Sequence, residues 1–285
     1  MLNKNSKIIL SNGIHMPIMA MGTNWMTYDE LVPILKAGIA AGFRAFDTAR
    51  DYGNEPVVGK AIKTALNETG LKRSDVFITT KIGNGQQKLG NISEQIDISL
   101  NNLQTDYVDC WLMHWPYPNY YVKTWQEMEN VYLNSTKVKS IGVANYQIRH
   151  FKHLLEDNPN RIAPMVHQME YHPLRTTCEL TSYMSTHHIK LQAYAPLCRL
   201  ISPLKEATIL KKLSEKYHKS LGQIILRWHV QQQYIMPIFK SYKPSRFQEN
   251  IDIFDFTLSP EEMRAISDLN MDYKYHLESA SCPGY

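Results

Sequence analysis

The sequence alternates between short apolar stretches and longer segments of helical periodicity, and this alternation restricts the possible folds more than any other feature. Eight stretches are typical of strands: 18–22, 45–48, 76–81, 107–115, 140–145, 165–170, 190–195 and 235–239. Helical patterns lie between them, for example at 94–103, 121–133, 149–156, 178–187, 208–218 and 224–230. Strands that alternate with helices in this way predict a parallel sheet with helices packed against it.

Eight strand and helix units predict an α/β fold of the closed (β/α)8 barrel type. An open doubly wound sheet is the alternative, but no Gly-x-Gly-x-x-Gly follows any of the strands. Near the start, Asn12-Gly13 between apolar stretches predicts a β-hairpin. Near the end, residues 246–254 and 259–269 predict two extra helices. Because barrels commonly reach this length, we expect a single domain over residues 1–285.

The composition favours a cytoplasmic protein that binds a small molecule. A net charge of +4 without a long Lys/Arg run does not indicate a nucleic-acid partner. The four cysteines are far apart and form no CxxC pair, which is typical of a reducing compartment. Neither a signal-type segment nor an apolar run long enough to cross a membrane is visible in the sequence. No coiled-coil heptads are visible either, so we expect a monomer.

Polar side chains recur where the predicted strands end. They are Asp47, Lys81, His114, Asn145, Gln168, Glu170, Tyr194 and Lys240, and Tyr52 follows in the loop after the second strand. In a parallel barrel these ends converge on one mouth, which is where active sites lie. Singly, each has a structural explanation, such as an ion pair between Asp47 and Lys81 or a core histidine at position 114. Together they predict a catalytic site.

A phenol, an amine, a carboxylate and an imidazole in one pocket suit the reduction of a carbonyl group. The Tyr52 phenol is neutral at pH 7 and can donate a proton, and we expect a neighbouring Lys81 ammonium to lower its pKa towards neutrality. Asp47 would keep Lys81 charged, and His114 would donate a hydrogen bond to the carbonyl oxygen. Since no side chain supplies a hydride, a nicotinamide cofactor is implied.

These residues resemble those of the aldo-keto reductase family. Residues 42–59 are similar to the first signature of the family, and Asp47, Tyr52, Lys81 and His114 match its catalytic tetrad. The resemblance implies a (β/α)8 barrel closed at the bottom by an N-terminal hairpin. It also implies NADPH or NADP bound across the mouth, and reduction of aldehydes or ketones to alcohols with Tyr52 as the general acid.

The resemblance also implies which residues bind the cofactor and the substrate. Asn145 and Gln168 match the residues that bind the carboxamide, and Tyr194 matches the ring that stacks on the nicotinamide. Lys240, Ser241, Arg246, Glu249 and Asn250 match the site of the adenosine 2'-phosphate and adenine, and two cations there favour NADP over NAD. The remaining cofactor residues implied are Gly22, Thr23, Asp47 and Leu197. For the substrate, Trp25, Tyr52, His114 and Trp115 are implied, and no metal site is expected.

Several residues depart from the family pattern, but none of them belongs to the tetrad. They are Ala144, Ala195, Cys198, Arg199, Phe239 and Asn24, and we expect them to weaken or alter cofactor binding. An aromatic pocket including Trp125, or an acidic substrate bound by Arg199 or His172, is a further hypothesis for substrate choice. Two other functions remain open: a barrel aldolase that uses Lys81 as a Schiff-base amine, and an NADP-binding regulatory protein without significant turnover.

Overall fold

The computed structural model of the protein describes residues 2–158, 161–276 and 282. Within these ranges there are ten strands: β1 Lys7–Ile9, β2 His15–Pro17, β3 Ala20–Gly22, β4 Ala45–Asp47, β5 Phe77–Ile82, β6 Cys110–Met113, β7 Ile141–Ala144, β8 Val166–Glu170, β9 Lys190–Tyr194 and β10 Ile235–Phe239. Strands β3 to β10 form a closed barrel in which sequential neighbours pair in parallel and β10 pairs with β3. The predicted (β/α)8 barrel is therefore confirmed, and the open sheet is excluded.

Twelve α-helices surround this barrel in the described part of the chain. They are α1 Tyr28–Ala41, α2 Glu55–Thr69, α3 Asn84–Leu89, α4 Ile92–Leu103, α5 Tyr121–Asn134, α6 Ile148–Leu155, α7 Cys178–Thr186, α8 Ser202–Glu206, α9 Thr208–Tyr217, α10 Leu221–Gln231, α11 Ser245–Ile251 and α12 Pro260–Ser267. Capping boxes begin α1 at Thr27, α10 at Ser220 and α12 at Ser259, as the sequence predicts. Two short helices, α3 and α8, have too few turns to give a periodic pattern and were not predicted.

The N-terminal hairpin and the barrel share one interior. Strands β1 and β2 pair antiparallel, and Gly13 between them has a φ of 84°, which suits the predicted Asn-Gly turn. Met16 of β2 is fully buried, and its sulfur accepts a hydrogen bond of 3.4 Å from Gln192 inside the barrel. The hairpin therefore covers the amino-terminal end of the barrel and leaves the carboxyl end, where the polar residues lie, open to ligands.

Several predicted strands are longer than the observed ones, and the difference is largest for 107–115, of which only Cys110–Met113 forms β6. Strand β6 ends at Met113, so that His114 and Trp115, predicted to belong to it, begin the following loop. Pro116 restricts the conformation of Trp115 before it and lacks the N–H that would continue the pairing. His114 thus lies on the rim of the barrel, while its neighbour Met113 remains fully buried.

Candidate active site

The carboxyl ends of β4 and β5 place an ion pair inside the mouth of the barrel. Lys81 Nζ lies 2.9 Å and 2.8 Å from the two carboxylate oxygens of Asp47, and it also donates to the backbone oxygen of Thr48 at 2.8 Å. The Lys81 side chain is fully buried. Burial acts to lower the pKa of Lys81, but the charge of Asp47, the interaction with Tyr52 and the hydrogen bonds to both together raise this pKa above its ordinary value. The Lys81 side chain is therefore an ammonium over the whole physiological pH range.

Tyr52 brings a phenol to this ammonium. It ends a single 3-10 turn, Arg50–Tyr52, directly after β4, and its hydroxyl lies 3.3 Å from Lys81 Nζ. Burial raises the pKa of Tyr52 above its ordinary value, although the Lys81 charge acts in the opposite direction. The expected net decrease in this pKa is thus wrong, because removal from water disfavours the phenolate more than one ammonium favours it. At neutral pH Tyr52 carries its proton and can donate it.

His114 packs against Tyr52 from the end of β6, which is separated from β4 by β5 in the barrel. The two rings meet edge to face with their centroids 5.6 Å apart, and the backbone oxygen of His114 accepts a hydrogen bond of 3.0 Å from Asn145. Burial lowers the pKa of His114, so its imidazole is mainly neutral at pH 7. The structure therefore brings together all four residues of the predicted tetrad.

Asp51, which lies in the same turn as Tyr52, was not predicted as a site residue. Its carboxylate oxygen is 3.2 Å from Nδ1 of His114. The only signal in the sequence was an acidic residue next to the candidate proton donor, and nothing there indicated that its side chain turns towards His114. Asp51 is thus an additional charged group at the edge of the site.

The residues implied for the nicotinamide carboxamide form one connected network. Tyr194 donates a hydrogen bond of 2.8 Å to Asn145, while Gln168 donates hydrogen bonds of 2.8 Å to both Asp47 and Gln192. Asn145 has a φ of 61°, a left-handed conformation that Asn tolerates better than most residues. Gln192 was not predicted, because it lies in the middle of β9 rather than at its end.

The residues implied for the adenosine end lie in the loop after β10 and in α11. Lys240 donates to the backbone oxygen of Asn24 at 2.8 Å, and Arg246 forms an exposed ion pair of 2.7 Å with Glu249. Asn250 is buried, and the hydroxyl of Ser241 accepts a hydrogen bond of 3.0 Å from the backbone of Lys243. These cations are therefore held close to the mouth by contacts that leave further donors for a phosphate.

Two other implied cofactor residues are joined to the tetrad through the backbone. Thr23 donates hydrogen bonds from its hydroxyl (2.8 Å) and its backbone nitrogen (3.1 Å) to the carbonyl oxygen of Asp47, and Gly22 pairs with Asp47 in the barrel.

Leu197 is half-buried directly before a short turn, Cys198–Leu200, in which all three residues have a left-handed φ. The departures Cys198 and Arg199 thus lie in a left-handed turn after β9.

The aromatic residues proposed for the substrate differ greatly in exposure. Trp25 is 74% exposed and has a φ of 56°, whereas Trp115 is buried and stacks obliquely beside His114 with 6.4 Å between the centroids. Trp125 does not belong to an open pocket: it is fully buried in α5, and its indole donates to the backbone of Ile162. The apolar face of the helix accounts for its position.

Glu170, at the end of β8, binds the backbone of the segment that ends at His276. Its carboxylate accepts hydrogen bonds from the backbone nitrogens of Tyr275 (2.6 Å) and His276 (2.8 Å), and it lies 3.1 Å from the imidazole of His172. His172 is fully buried, so its side chain is not accessible to an acidic substrate, and this part of the substrate hypothesis is wrong. Arg199 is exposed beside the ring of Tyr275.

Comparison with known proteins agrees with this architecture. The model of the aldo/keto reductase family matches residues 18–271, and the chain therefore belongs to the aldo-keto reductase family of oxidoreductases. It is 40% identical to the glyoxal reductase of Bacillus subtilis over 264 residues, which cover 92% of both chains. It is also 37% identical to a methylglyoxal reductase of Yersinia pestis over 265 residues, again 92% of both chains.

A solved structure also supports membership of the aldo-keto reductase family. The aldo-keto reductase of Bombyx mori, crystallised in complex with NADP, superimposes with a TM-score of 0.88 at 30% identity. The match covers 98% of this chain and 97% of the other. None of the helices in the described ranges is both long and apolar enough to cross a bilayer.

Proposed function

We propose that this chain reduces small aldehydes and ketones to alcohols with NADPH, and that Tyr52 is the general acid. The observation that carries the proposal is the distance of 3.3 Å between the Tyr52 hydroxyl and the Lys81 ammonium, inside the mouth of a barrel of this family. The names of the glyoxal and methylglyoxal reductases to which the chain is similar favour small oxoaldehydes as its substrates.

The proposed roles follow from the charge that develops on the substrate oxygen. As the carbonyl carbon gains a hydride, the oxygen becomes an alkoxide and takes the proton of Tyr52, which leaves a phenolate. The Lys81 ammonium at 3.3 Å stabilises this phenolate, and Asp47 at 2.8 Å holds the ammonium in place. His114, whose ring meets that of Tyr52, would orient the carbonyl oxygen. Trp25 and Trp115 would line the path of the substrate.

The residues at the mouth have the chemistry that an NADP molecule requires. Gln168 uses its amide N–H groups on Asp47 and Gln192, which leaves its carbonyl oxygen as an acceptor for an amide ligand. Lys240 and Arg246 are cations on the same side of the barrel, with donors that a phosphate can accept. Asn145, Tyr194, Leu197, Gly22 and Thr23 complete the proposed cofactor site, together with Ser241, Glu249 and Asn250. When bound, NADPH supplies the hydride.

Substitution of Tyr52 by Phe tests this proposal because it removes only the hydroxyl. We expect turnover of glyoxal and methylglyoxal, followed by the loss of NADPH absorbance, to fall by at least about 100-fold, since general acid catalysis contributes this much or more. NADPH should still quench the Trp fluorescence of the variant, because the proposed cofactor residues are intact. Unchanged turnover would refute the assignment of Tyr52.

The aldolase and the regulatory protein each predict results that differ from those of a carbonyl reductase. An aldolase would need a neutral Lys81 amine, whereas three acceptors around a buried Nζ keep it an ammonium. Borohydride trapping of substrate carbon on Lys81 without NADPH would favour the aldolase. A regulatory protein would bind NADP tightly and show negligible turnover across a panel of aldehydes, diketones, keto esters and sugars.

A further inference from the structure

The carboxylate of Asp51, whose side chain is 36% exposed, lies between Gly83 and the imidazole of His114. Asp51 lies in the 3-10 turn Arg50–Tyr52, which is closed by hydrogen bonds from Tyr52 N to Ala49 O and from Gly53 N to Arg50 O, each of 3.2 Å. Across from this turn, a Cβ atom added to Gly83 would lie 1.7 Å from Oδ1 of Asp51. The missing side chain of Gly83 therefore leaves the space that the carboxylate fills.

This position determines where His114 carries its proton. An ionised carboxylate only accepts hydrogen bonds, so the contact of 3.2 Å between Asp51 Oδ2 and His114 Nδ1 requires a proton on Nδ1. A neutral imidazole has one N–H, and its Nε2 is then an acceptor. No described residue forms a hydrogen bond with this Nε2. A substrate carbonyl oxygen, which also only accepts, could pair with Nε2 only when the ring carries a second proton.

We propose that Asp51 is a positioning residue that holds the proton of neutral His114 on Nδ1, so that His114 donates to a carbonyl oxygen from Nε2 only as the imidazolium. This inference rests on the proposed carbonyl reductase function and adds an acid requirement to it. The charged and titratable groups that face His114 are Asp51 and Tyr52 from the turn, Asp47 from β4 and Lys81 from β5. Asp51 and Asp47 favour the imidazolium, whereas burial and Lys81 oppose it.

The proposal predicts that reduction slows as the pH rises through the neutral range. Between about pH 6 and pH 9, we expect kcat/KM to fall at least tenfold, since loss of one donor to a developing oxyanion typically costs about 100- to 1,000-fold. Tyr52 does not contribute to this decrease, because burial raises the pKa of Tyr52 above its ordinary value and the phenol remains protonated in this range. The decrease therefore reports on His114.

Asp51→Leu removes the acceptor at Nδ1 and is the main test. In this variant the proton can move to Nε2, so a neutral His114 donates to the substrate, and kcat/KM should change less than about threefold over the same pH range. Gly83→Ala should flatten the profile in the same way, because the added Cβ displaces the carboxylate without removing its charge. Asp29→Leu, in the exposed first turn of α1, removes the same charge elsewhere and should keep the steep wild-type profile.

A second measurement reads the tautomer without turnover. The chemical shifts of the two imidazole nitrogens of His114, assigned among the 11 histidines by comparison with His114→Gln, distinguish the tautomers at high pH. We expect Nδ1–H in the wild type and a shift towards Nε2–H in Asp51→Leu. An Nε2–H tautomer in the wild type, an unchanged tautomer in Asp51→Leu, or parallel pH profiles of the two enzymes would overturn the proposal. If the wild type shows no carbonyl reduction, the proposed function fails, while the tautomer measurement still decides the role of Asp51.

Discussion

The carboxylate of Glu170 lies 2.8 Å from the backbone nitrogen of His276 and thereby joins the end of β8 to the segment after α12. The ring of His276 in turn meets the ring of Tyr194 edge to face, with 5.7 Å between the centroids. Because Tyr194 is the ring proposed to stack on the nicotinamide, Glu170 sets the position of a side chain next to the proposed cofactor site.

We predict that Glu170→Gln destabilises the protein at pH 7 but not at low pH. Burial alone would raise the pKa of Glu170, but hydrogen bonds from His172, Tyr275 and His276 hold this pKa below its ordinary value. The stabilisation is thus complete above the unfolded-state pKa of about 4.3 and is lost as the pH falls through the folded-state value. Urea unfolding should give a loss of about 1.5–3 kcal/mol at pH 7, because the carboxylate charge strengthens these hydrogen bonds.

Glu206→Gln, in the exposed part of α8, is the control for the loss of one carboxylate. It should leave the free energy of unfolding unchanged at both pH values. Amide hydrogen exchange gives a local readout: the N–H groups of Tyr275 and His276 should exchange faster in Glu170→Gln at pH 7. Equal protection of these amides in the variant and the wild type would show that the carboxylate does not hold the segment.

We predict that the effects of Asp47→Asn and Lys81→Met on stability are strongly non-additive. Each single change leaves a buried group without its partner, and the free energy of unfolding should fall by about 3–5 kcal/mol. The double variant leaves no buried charge, so its loss should be smaller than the sum of the single losses by at least about 1 kcal/mol. Urea unfolding of the four proteins measures this difference.

The exposed pair Lys36 and Glu68 offers a matched control. Its side chains are 45% and 46% exposed, so the corresponding Lys36→Met and Glu68→Gln changes should each cost less than about 1 kcal/mol. If the losses in the free energy of unfolding at Asp47 and Lys81 were additive, the two charges would not stabilise each other. All three variants of the buried pair should lose turnover. Lys81→Met removes the ammonium beside Tyr52, the proposed proton donor, and Asp47→Asn removes the carboxylate that holds this ammonium in position.

The barrel could be predicted from the sequence because its signals are local and repeated. Each strand is a short apolar run, the helices between most of them show their own apolar periodicity, and residues such as Thr27 and Ser220 mark where two of the helices begin. The end of β6 was placed wrongly, since the apolar run continues through Trp115 although the pairing stops at Met113. The prediction of one domain over residues 1–285 stays a prediction.

The candidate site was predictable where its residues end strands, because barrel topology alone brings those ends together. Contacts between side chains were not predictable in the same way. Asp51 turns towards His114 through a space that a side chain at position 83 would occupy, and Gln192 joins Gln168 from the middle of a neighbouring strand. The pKa of Tyr52 could not be derived either, since it depends on how burial compares with one nearby charge.

We predict that Arg246→Ala weakens the binding of NADPH much more than that of NADH. Arg246 is about half exposed and, among the described residues, forms an ion pair only with Glu249 three residues further along α11, so its loss should not change the thermal midpoint measurably. A charged hydrogen bond to the 2'-phosphate is worth about 1.5–3 kcal/mol, which corresponds to a rise of about tenfold or more in the KM for NADPH. Lys243→Ala, an exposed neighbouring cation, is the control and should have a small effect. Equal losses for both cofactors would contradict the proposed phosphate site.

Substitutions of Trp25 separate its backbone from its side chain. Trp25 has a left-handed φ of 56°, and its side chain is 74% exposed. A left-handed conformation costs a non-glycine residue about 1–2 kcal/mol, and Gly avoids this cost. We therefore predict that Trp25→Gly is more stable towards urea than Trp25→Ala, although both lose the same indole. This difference should be about 1 kcal/mol after allowance for the greater freedom of Gly in the unfolded chain.

The same two variants test the proposed contact of Trp25 with the substrate. The centre of the indole lies 6.0 Å from the ammonium of Lys240, and the side chain is otherwise largely exposed. Both variants should therefore raise the KM for methylglyoxal to a similar extent, while the KM for NADPH changes little because Lys240 keeps its hydrogen bond to the backbone of Asn24. If the KM for the carbonyl substrate stays at the wild-type value in both, Trp25 does not bind the substrate. A rise in only the Ala variant would instead assign the effect to the backbone at this position, since the loss of the side chain is common to the two proteins.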